Sequence, residues 1–289
     1  MKLSVAIVIR TLNEEKYLGK VLSAIKKQNL NEIQIKIIIV DSGSTDNTLT
    51  IAQQYNANII EIPKERFTYG YALNTGLQQA LDDDIAVCLS CHCIPRGKSW
   101  LKKLISPIIE EKADMSFGSH LGASFARTSE RNYFKYKFSH LKKGLASPLY
   151  FNNGNSAFKI TTWKKHQFDE FVKGQEDVEM ATRAVQKGSK VYFVPTALVT
   201  HIHNDKNIVL LKRILNIFES DIKIKAKKPL DMFPEAWKSI QMIQLDIKVA
   251  AKKKILKKAL PGILKFRIIV VIAALLSIIR SPFKSNFHE

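Results

Sequence analysis

Acids, imidazoles and a guanidinium gather where the apolar runs of this chain end. Asp41 closes Ile35-Lys36-Ile37-Ile38-Ile39-Val40 and opens the polar run Asp41-Ser42-Gly43-Ser44-Thr45-Asp46-Asn47-Thr48. It precedes any helix cap, so its carboxylate can accept from a base or a ribose, whereas Ser44, Thr45 and Asp46 read as caps. An earlier run, Ser4 to Ile9, breaks into a second polar loop, Arg10-Thr11-Leu12-Asn13-Glu14-Glu15. Arg66 offers two parallel bonds to phosphate oxygens, or is an ordinary solvated loop residue. In Ser90-Cys91-His92-Cys93, the imidazole of His92 can ligate Mn²⁺ but matches Mg²⁺ poorly. The adjacent Cys-His-Cys lacks the spacing of a zinc site. His201 and His203 stand two apart on an extended segment and therefore share a face. In the turn-rich Asn152-Asn153-Gly154-Asn155, amides can donate to and accept from sugar hydroxyls. Glu176 and Asp177 lie together at the start of a helix, where acids serve the dipole as readily as a reaction.

These groups need a frame that brings them to one edge. The runs at 4–9 and 35–40 are β-branched and nearly continuous, as in strands of a parallel sheet buried on both faces. Ligands of such sheets sit outside the carboxyl ends of the strands, where both polar loops fall. Between them, Tyr17, Leu18, Val21, Leu22 and Ile25 recur at helical spacing behind Asn13, an expected cap. Further strands are expected at 57–62, 85–89 and 191–194, the last running on past Pro195 towards His201. Asp82-Asp83-Asp84 precedes a strand and so belongs to a turn on the opposite, solvent-side edge. The fold class read from this order is α/β, a Rossmann-like and mostly parallel sheet flanked by helices.

The order of motifs from Ser4 to Thr48 closely resembles the inverting glycosyltransferases of family 2, which have a GT-A fold, and the resemblance extends to about residue 203. It implies transfer of a sugar from a nucleotide-diphosphate sugar to a hydroxyl of a glycan or lipid-linked acceptor, in bacterial surface-polysaccharide or lipopolysaccharide synthesis. By resemblance, Asp177 is the base that deprotonates the acceptor, and Glu176 positions acceptor or sugar. Thr11, Asn13, Glu15, Asp41 and Arg66 bind the nucleotide; Gly154 and Asn155 line sugar and acceptor. His92, His201 and His203 hold a divalent cation, Mn²⁺ rather than Mg²⁺, or the diphosphate. Two departures stand out. Ser42 replaces a second acid, and His92 stands where the family keeps its metal-binding carboxylate. The missing acid leaves open a non-catalytic GT-A relative that serves as a nucleotide-sugar-binding or scaffold subunit.

Composition accommodates this reading: 46% of the 289 residues are hydrophobic, enough for a sizeable core. Three clustered cysteines make no disulfide framework and point to a reducing compartment, and Met1-Lys2 leads straight into a core strand, so cytoplasmic placement is expected. The charge is uneven. From Lys206 to Glu289 there are 18 Lys and Arg against 6 Asp and Glu, a net +12 of the chain's +19. A catalytic domain over 1–205 and a basic helical tail over 206–289 are therefore expected. In the tail, a basic amphipathic helix from Asp246 to Leu260 is expected to stop at Pro261-Gly262. The uncharged run Ile268 to Ile279 is twelve residues, short of the about twenty needed to span a bilayer. An in-plane or partly inserted anchor on the inner face of the membrane is one reading, and a helix packed on the protein the other. Nucleic acid is not an expected partner, because the basic segment has few interleaved aromatics and no recognisable motif.

Overall fold

A computed structural model describes residues 2–30, 32–202, 206–224 and 228–284. They form two compact units, one of Met1–Leu121, Phe138–Val172 and Glu176–Ile202, the other of Gly122–Lys137, Lys173–Gln175 and His203–Glu289. The junction expected at 205/206 thus misses two earlier segments, 122–137 and 173–175, that cluster with the tail.

The first unit is built on β1 (Leu3–Thr11), α1 (Glu15–Lys26), β2 (Ile33–Asp41), α2 (Thr48–Gln54), β3 (Asn58–Glu61), α3 (Tyr69–Gln78), β4 (Ile85–Ser90), β5 (Cys93–Pro95), α4 (Trp100–Ile109) and β6 (Met115–Gly122). After α5 (Thr128–Ser139), most of which belongs to the second unit, come β7 (Gly144–Leu145), β8 (Asn155–Lys159), α6 (Ile160–Lys165), α7 (Glu176–Gln186) and β9 (Val191–His201). The strands make one sheet in the order β3-β2-β1-β4-β8-β6-β9-β5, with β7 on β9. The first four of that order are parallel, and β8 joins them antiparallel.

Both faces of β1 are covered, as its unbroken apolar run requires. Val5, Ile7 and Ile9 pack in one core with Leu18, Val21, Leu22 and Ile25 of α1 and Trp100, Leu101 and Leu104 of α4. On the other side α3 comes so close that a Cβ on Gly76 would lie 2.6 Å from Val8 and 2.8 Å from Val40. Register then fixes the working edge. Thr11 pairs with Asp41, and Arg10 with Val40 and Ser90, so the carboxyl ends of β1, β2 and β4 are level. Asp84 lies at the opposite edge, accepting from the amide and hydroxyl of Ser4, as its place in the sequence predicts.

The second unit gathers α8 (Asn207–Lys223), α9 (Met232–Lys252) and α10 (Leu256–Lys284) around Leu210, Phe218, Met232, Phe266, Ile269 and Ala273. Inside it, Arg267 Nε donates to Asp246 Oδ2 at 2.9 Å, and Asp246 also accepts from Ser129 and Asn132 at 2.6 and 2.7 Å. The expected stop at Pro261-Gly262 is corrected here. The chain breaks about two turns earlier, at Lys254 with φ +56°, and α10 runs through Pro261. Burial of its apolar face against α8 and α9 outweighs a proline penalty of about 3 kcal/mol. The apolar segment is correspondingly longer than twelve residues. Among the described residues, Leu256–Ser281 is the one helix long and apolar enough to cross a membrane by length and composition.

Candidate active site

The two polar loops are bonded into a single body. Asp41 is fully buried and accepts from Thr11 Oγ1, Gly43 N, Ser44 N and Ser44 Oγ at 2.6–2.9 Å, so its carboxylate is filled by its own loops. Asn13, expected to cap α1, instead takes φ +55° and accepts from Thr45 N at 2.8 Å. The start of α1 is capped from the other loop: Ser44 Oγ, Thr48 Oγ1 and Asp46 Oδ2 receive the amides of Asn13, Glu14 and Glu15. Glu15 returns the favour by accepting from the amide and side chain of Asn47. Thr11, Asn13, Glu15 and Asp41 thus lie in one bonded pair of loops, Thr11 donating to Asp41 while Asn13 and Glu15 bond to Ser44, Thr45, Asp46 and Asn47. Arg66 stands apart from these bonds, exposed, with its guanidinium 4.7 Å from the ring centre of Tyr71.

At the same sheet edge stands the acidic pair. Glu176 and Asp177 are both buried in the first turn of α7. Asp177 accepts from the amides of Asn153 and Val178 at 2.9 and 2.8 Å. Arg10 Nη1 lies 3.6 Å from Glu176 Oε1, and its guanidinium sits 4.6 Å over the ring of Tyr69. Burial, and then the neighbouring Asp177 charge, push the Glu176 carboxyl up to about 7, with Arg10 pulling the other way. Neither Arg10 nor Asn153 was singled out in the sequence, although both belong to its marked loops.

The glycine-asparagine turn works differently from expectation. Asn155 is fully buried; its Oδ1 accepts from Trp100 Nε1 at 2.9 Å, and its Nδ2 donates to Ala197 O and Ser119 O. Every amide atom is spent on the frame, which leaves none for a sugar. Gly154 makes room, since a Cβ there would stand 2.9 Å from His120 Cε1 and 2.7 Å from Asn152 Oδ1.

That neighbour belongs to a row of imidazoles. The ring centres of His92 and His201 are 5.1 Å apart, and those of His201 and His120 5.0 Å. His92 Nδ1 lies 3.5 Å from Glu14 Oε1 at one end of the row. At the other, His120 Nδ1 is 2.9 Å from His201 Nδ1 and 4.0 Å from Cys93 Sγ. His203 lies outside the described residues. His120 and Glu14 were missed in the sequence, and Cys93 was set aside for its spacing along the chain; for His120, a lone histidine inside the apolar strand Met115–Gly122 was the available signal. At the Glu14 end of the row, a carboxylate and the imidazole of His92 stand 3.5 Å apart as candidate donors to a divalent cation.

The model of glycosyl transferase family 2 matches residues 6–188. The O-antigen chain rhamnosyltransferase RfbN of Salmonella typhimurium is 27% identical over 215 residues, covering 70% of this chain and 67% of that protein. WbaN of Salmonella anatum, also an O-antigen chain rhamnosyltransferase, is 29% identical over 180 residues, 58% of this chain and 57% of its own. The chain therefore spans between 57% and 67% of the length of these two relatives. Among solved structures, the mannosyltransferase PcManGT from Pyrobaculum calidifontis, in complex with GDP-Man and Mn²⁺, shares the fold with a TM-score of 0.64 at 17% identity, over 98% of this chain and 88% of that one. Staphylococcus aureus TarS 1–349 with UDP-GlcNAc does so at 0.57 and 15% identity, over 93% and 90%. With more than half of its length matched by the family model and its strands in this order, the chain belongs to glycosyl transferase family 2, as a glycosyltransferase of GT-A fold.

Proposed function

We propose that this chain transfers a sugar from a nucleotide-diphosphate donor to a hydroxyl of a glycan or lipid-linked acceptor, with inversion, in cell-surface polysaccharide synthesis. The observation that carries the reading is the buried Glu176-Asp177 pair, level with the two joined loops and held beside Arg10. In this reading Asp177 takes the proton of the attacking hydroxyl, and Glu176 is the second titrating group that positions acceptor or sugar. The joined loops of Thr11, Asn13, Glu15 and Asp41 receive the nucleotide, with Arg66 reaching the diphosphate. Glu14, His92 and His201 hold a divalent cation, Mn²⁺ in preference to Mg²⁺, and such a cation supplies charge neutralisation to the leaving diphosphate. The names of the relatives favour a rhamnosyl donor, and their O-antigen role favours an acceptor at the inner face of the cell membrane.

Docking on that surface falls to the helical unit. Leu264, Ile268, Ile272, Leu275 and Ile279 make an exposed stripe along α10, and the tail around it carries a net +12. Together these suit an anionic bilayer surface.

The test is a thermal-shift screen of nucleotide sugars, rhamnosyl donors first, with Mn²⁺ or Mg²⁺, followed by donor turnover in wild type and Asp177→Asn. A donor that stabilises both proteins but is turned over only by wild type supports the reading. Donor binding without turnover in wild type, whichever acceptor extract is offered, favours the binding-subunit alternative.

A further inference from the structure

The sheet places three metal-ligating side chains in one row across adjacent strands. β6, β9 and β5 are neighbours in that order. Cys93 and His201 are register partners across β5 and β9, so their side chains leave the same face of the sheet at the shortest cross-strand distance. His120 comes from β6 on the far side of β9. As a result Cys93 Sγ and one nitrogen each of His120 and His201 all lie within 4.8 Å of one another.

The row is held for this purpose by its surroundings. The ring of His120 is stacked on Phe138, 5.3 Å between centres with planes 6° apart, which fixes its orientation. Gly154 leaves the space that a Cβ would take from it. Cys93 and His120 are almost completely buried and His201 nearly so, so an ion among them is screened from water. None of the three is a carboxylate. A thiolate and two imidazoles suit a borderline-soft transition metal and are a poor set for Mg²⁺.

We propose that Cys93, His120 and His201 form a site for a borderline-soft divalent ion of the Zn²⁺ and Co²⁺ class. It is an inner donor set that shares His201 with the outer set of Glu14 and His92. Binding breaks the S–H bond of Cys93 and forms a metal–sulfur bond, with the thiol proton leaving to solvent. Where one Nδ1 carries the hydrogen shared by the two imidazoles, that ring moves its proton to Nε2 and both Nδ1 atoms become donors. Three protein donors leave one position of a four-coordinate ion for a ligand from outside the chain. The inference needs only these residues and goes beyond the transferase reading, so either can fail alone.

Co²⁺ titration of the purified full chain, followed by absorption, tests it, with Cys93→Ser, His120→Gln and His92→Ala alongside. The expected result is one equivalent of Co²⁺ giving a thiolate-to-metal charge-transfer band in wild type and His92→Ala. That band is lost in Cys93→Ser, the Co²⁺ affinity of His120→Gln falls at least tenfold, and Zn²⁺ displaces Co²⁺ from wild type. Visible Co²⁺ bands in wild type without the charge-transfer band mean that only the outer nitrogen and oxygen donors bind, and overturn the proposal. No binding of Co²⁺ by wild type overturns it as well, whether or not the variants fold. Mn²⁺-supported donor turnover measured on the same samples reports on the transferase reading separately.

Discussion

Arg10, at the end of β1, holds its guanidinium 3.6 Å from Oε1 of Glu176, at the start of α7. Two elements separated by most of the first unit's length are joined by that contact. Glu176 sits under opposing influences, burial and Asp177 raising its proton affinity and Arg10 lowering it. The net effect is a carboxyl that exchanges its proton near neutrality, where an acid or base is most useful.

Replacing Arg10 by Gln removes the influence that favours the ionised form. Donor turnover in wild type is expected to climb as the pair loses its last proton around pH 7. In Arg10→Gln that climb moves up by about one unit. A pH–rate profile of both proteins at saturating donor checks it, and an unmoved profile would show that Glu176 does not limit the rate.

The same carboxyl makes a stability prediction. Its folded value of about 7 lies above the 4.5 of an ordinary glutamate, so the folded state binds the proton more tightly than the unfolded chain. The contribution to stability is complete below pH 4.5 and is lost as pH rises through about 7. Glu176→Gln keeps the neutral form at every pH. It should exceed wild type in stability by on the order of 2 kcal/mol at pH 8 and match it at pH 5. Urea unfolding at the two pH values reads the difference.

Asp177→Asn is expected to lower transfer by about 10²-fold or more, the usual range for loss of a positioned base. Donor affinity, measured by thermal shift, should stay within a factor of about three, because the remaining oxygen keeps one of the two backbone amides, Asn153 N or Val178 N, that the two carboxylate oxygens accept separately.

In the helical unit, Asp246→Ala strands the buried guanidinium of Arg267 and should cost about 3–5 kcal/mol. Replacing both partners by Leu and Met is expected to recover most of that loss. Thermal melts of the single and double variants decide it; equal losses would mean that the pair is not coupled.

A membrane reading of the tail predicts that the full chain floats with vesicles containing anionic lipid and releases as salt rises. Ile268→Glu with Ile272→Glu, both on the exposed stripe, should abolish flotation while leaving donor binding intact. Flotation unchanged by these charges would exclude the α10 stripe as the contact.

The frame and the two loops were legible because their causes are local. A β-branched run, a Ser-Thr-Asp cap and helical spacing each act within ten residues, and Thr11 opposite Asp41 follows once two strands are recognised as parallel. Asn155 was misread because its sequence neighbours resemble a ligand turn, while its three partners, on α4, β6 and the strand carrying Ala197, are more than thirty residues away. Cys93 was set aside for a related reason. Cys91-His92-Cys93 has no metal spacing along the chain, yet the β5–β9 register supplies it across the sheet. The break at Lys254 in place of Pro261 turned on which helix faces find a buried partner, a tertiary effect that outranks a breaker residue.

Because the amides that begin α1 are received by side chains of the loop after β2, neither loop keeps its shape without the other. Under the nucleotide-binding role proposed for these loops, any effort to change which nucleotide is accepted must therefore exchange residues 10–15 and 41–48 together, as one cassette. A graft of either loop alone would import a new sequence and lose the old geometry.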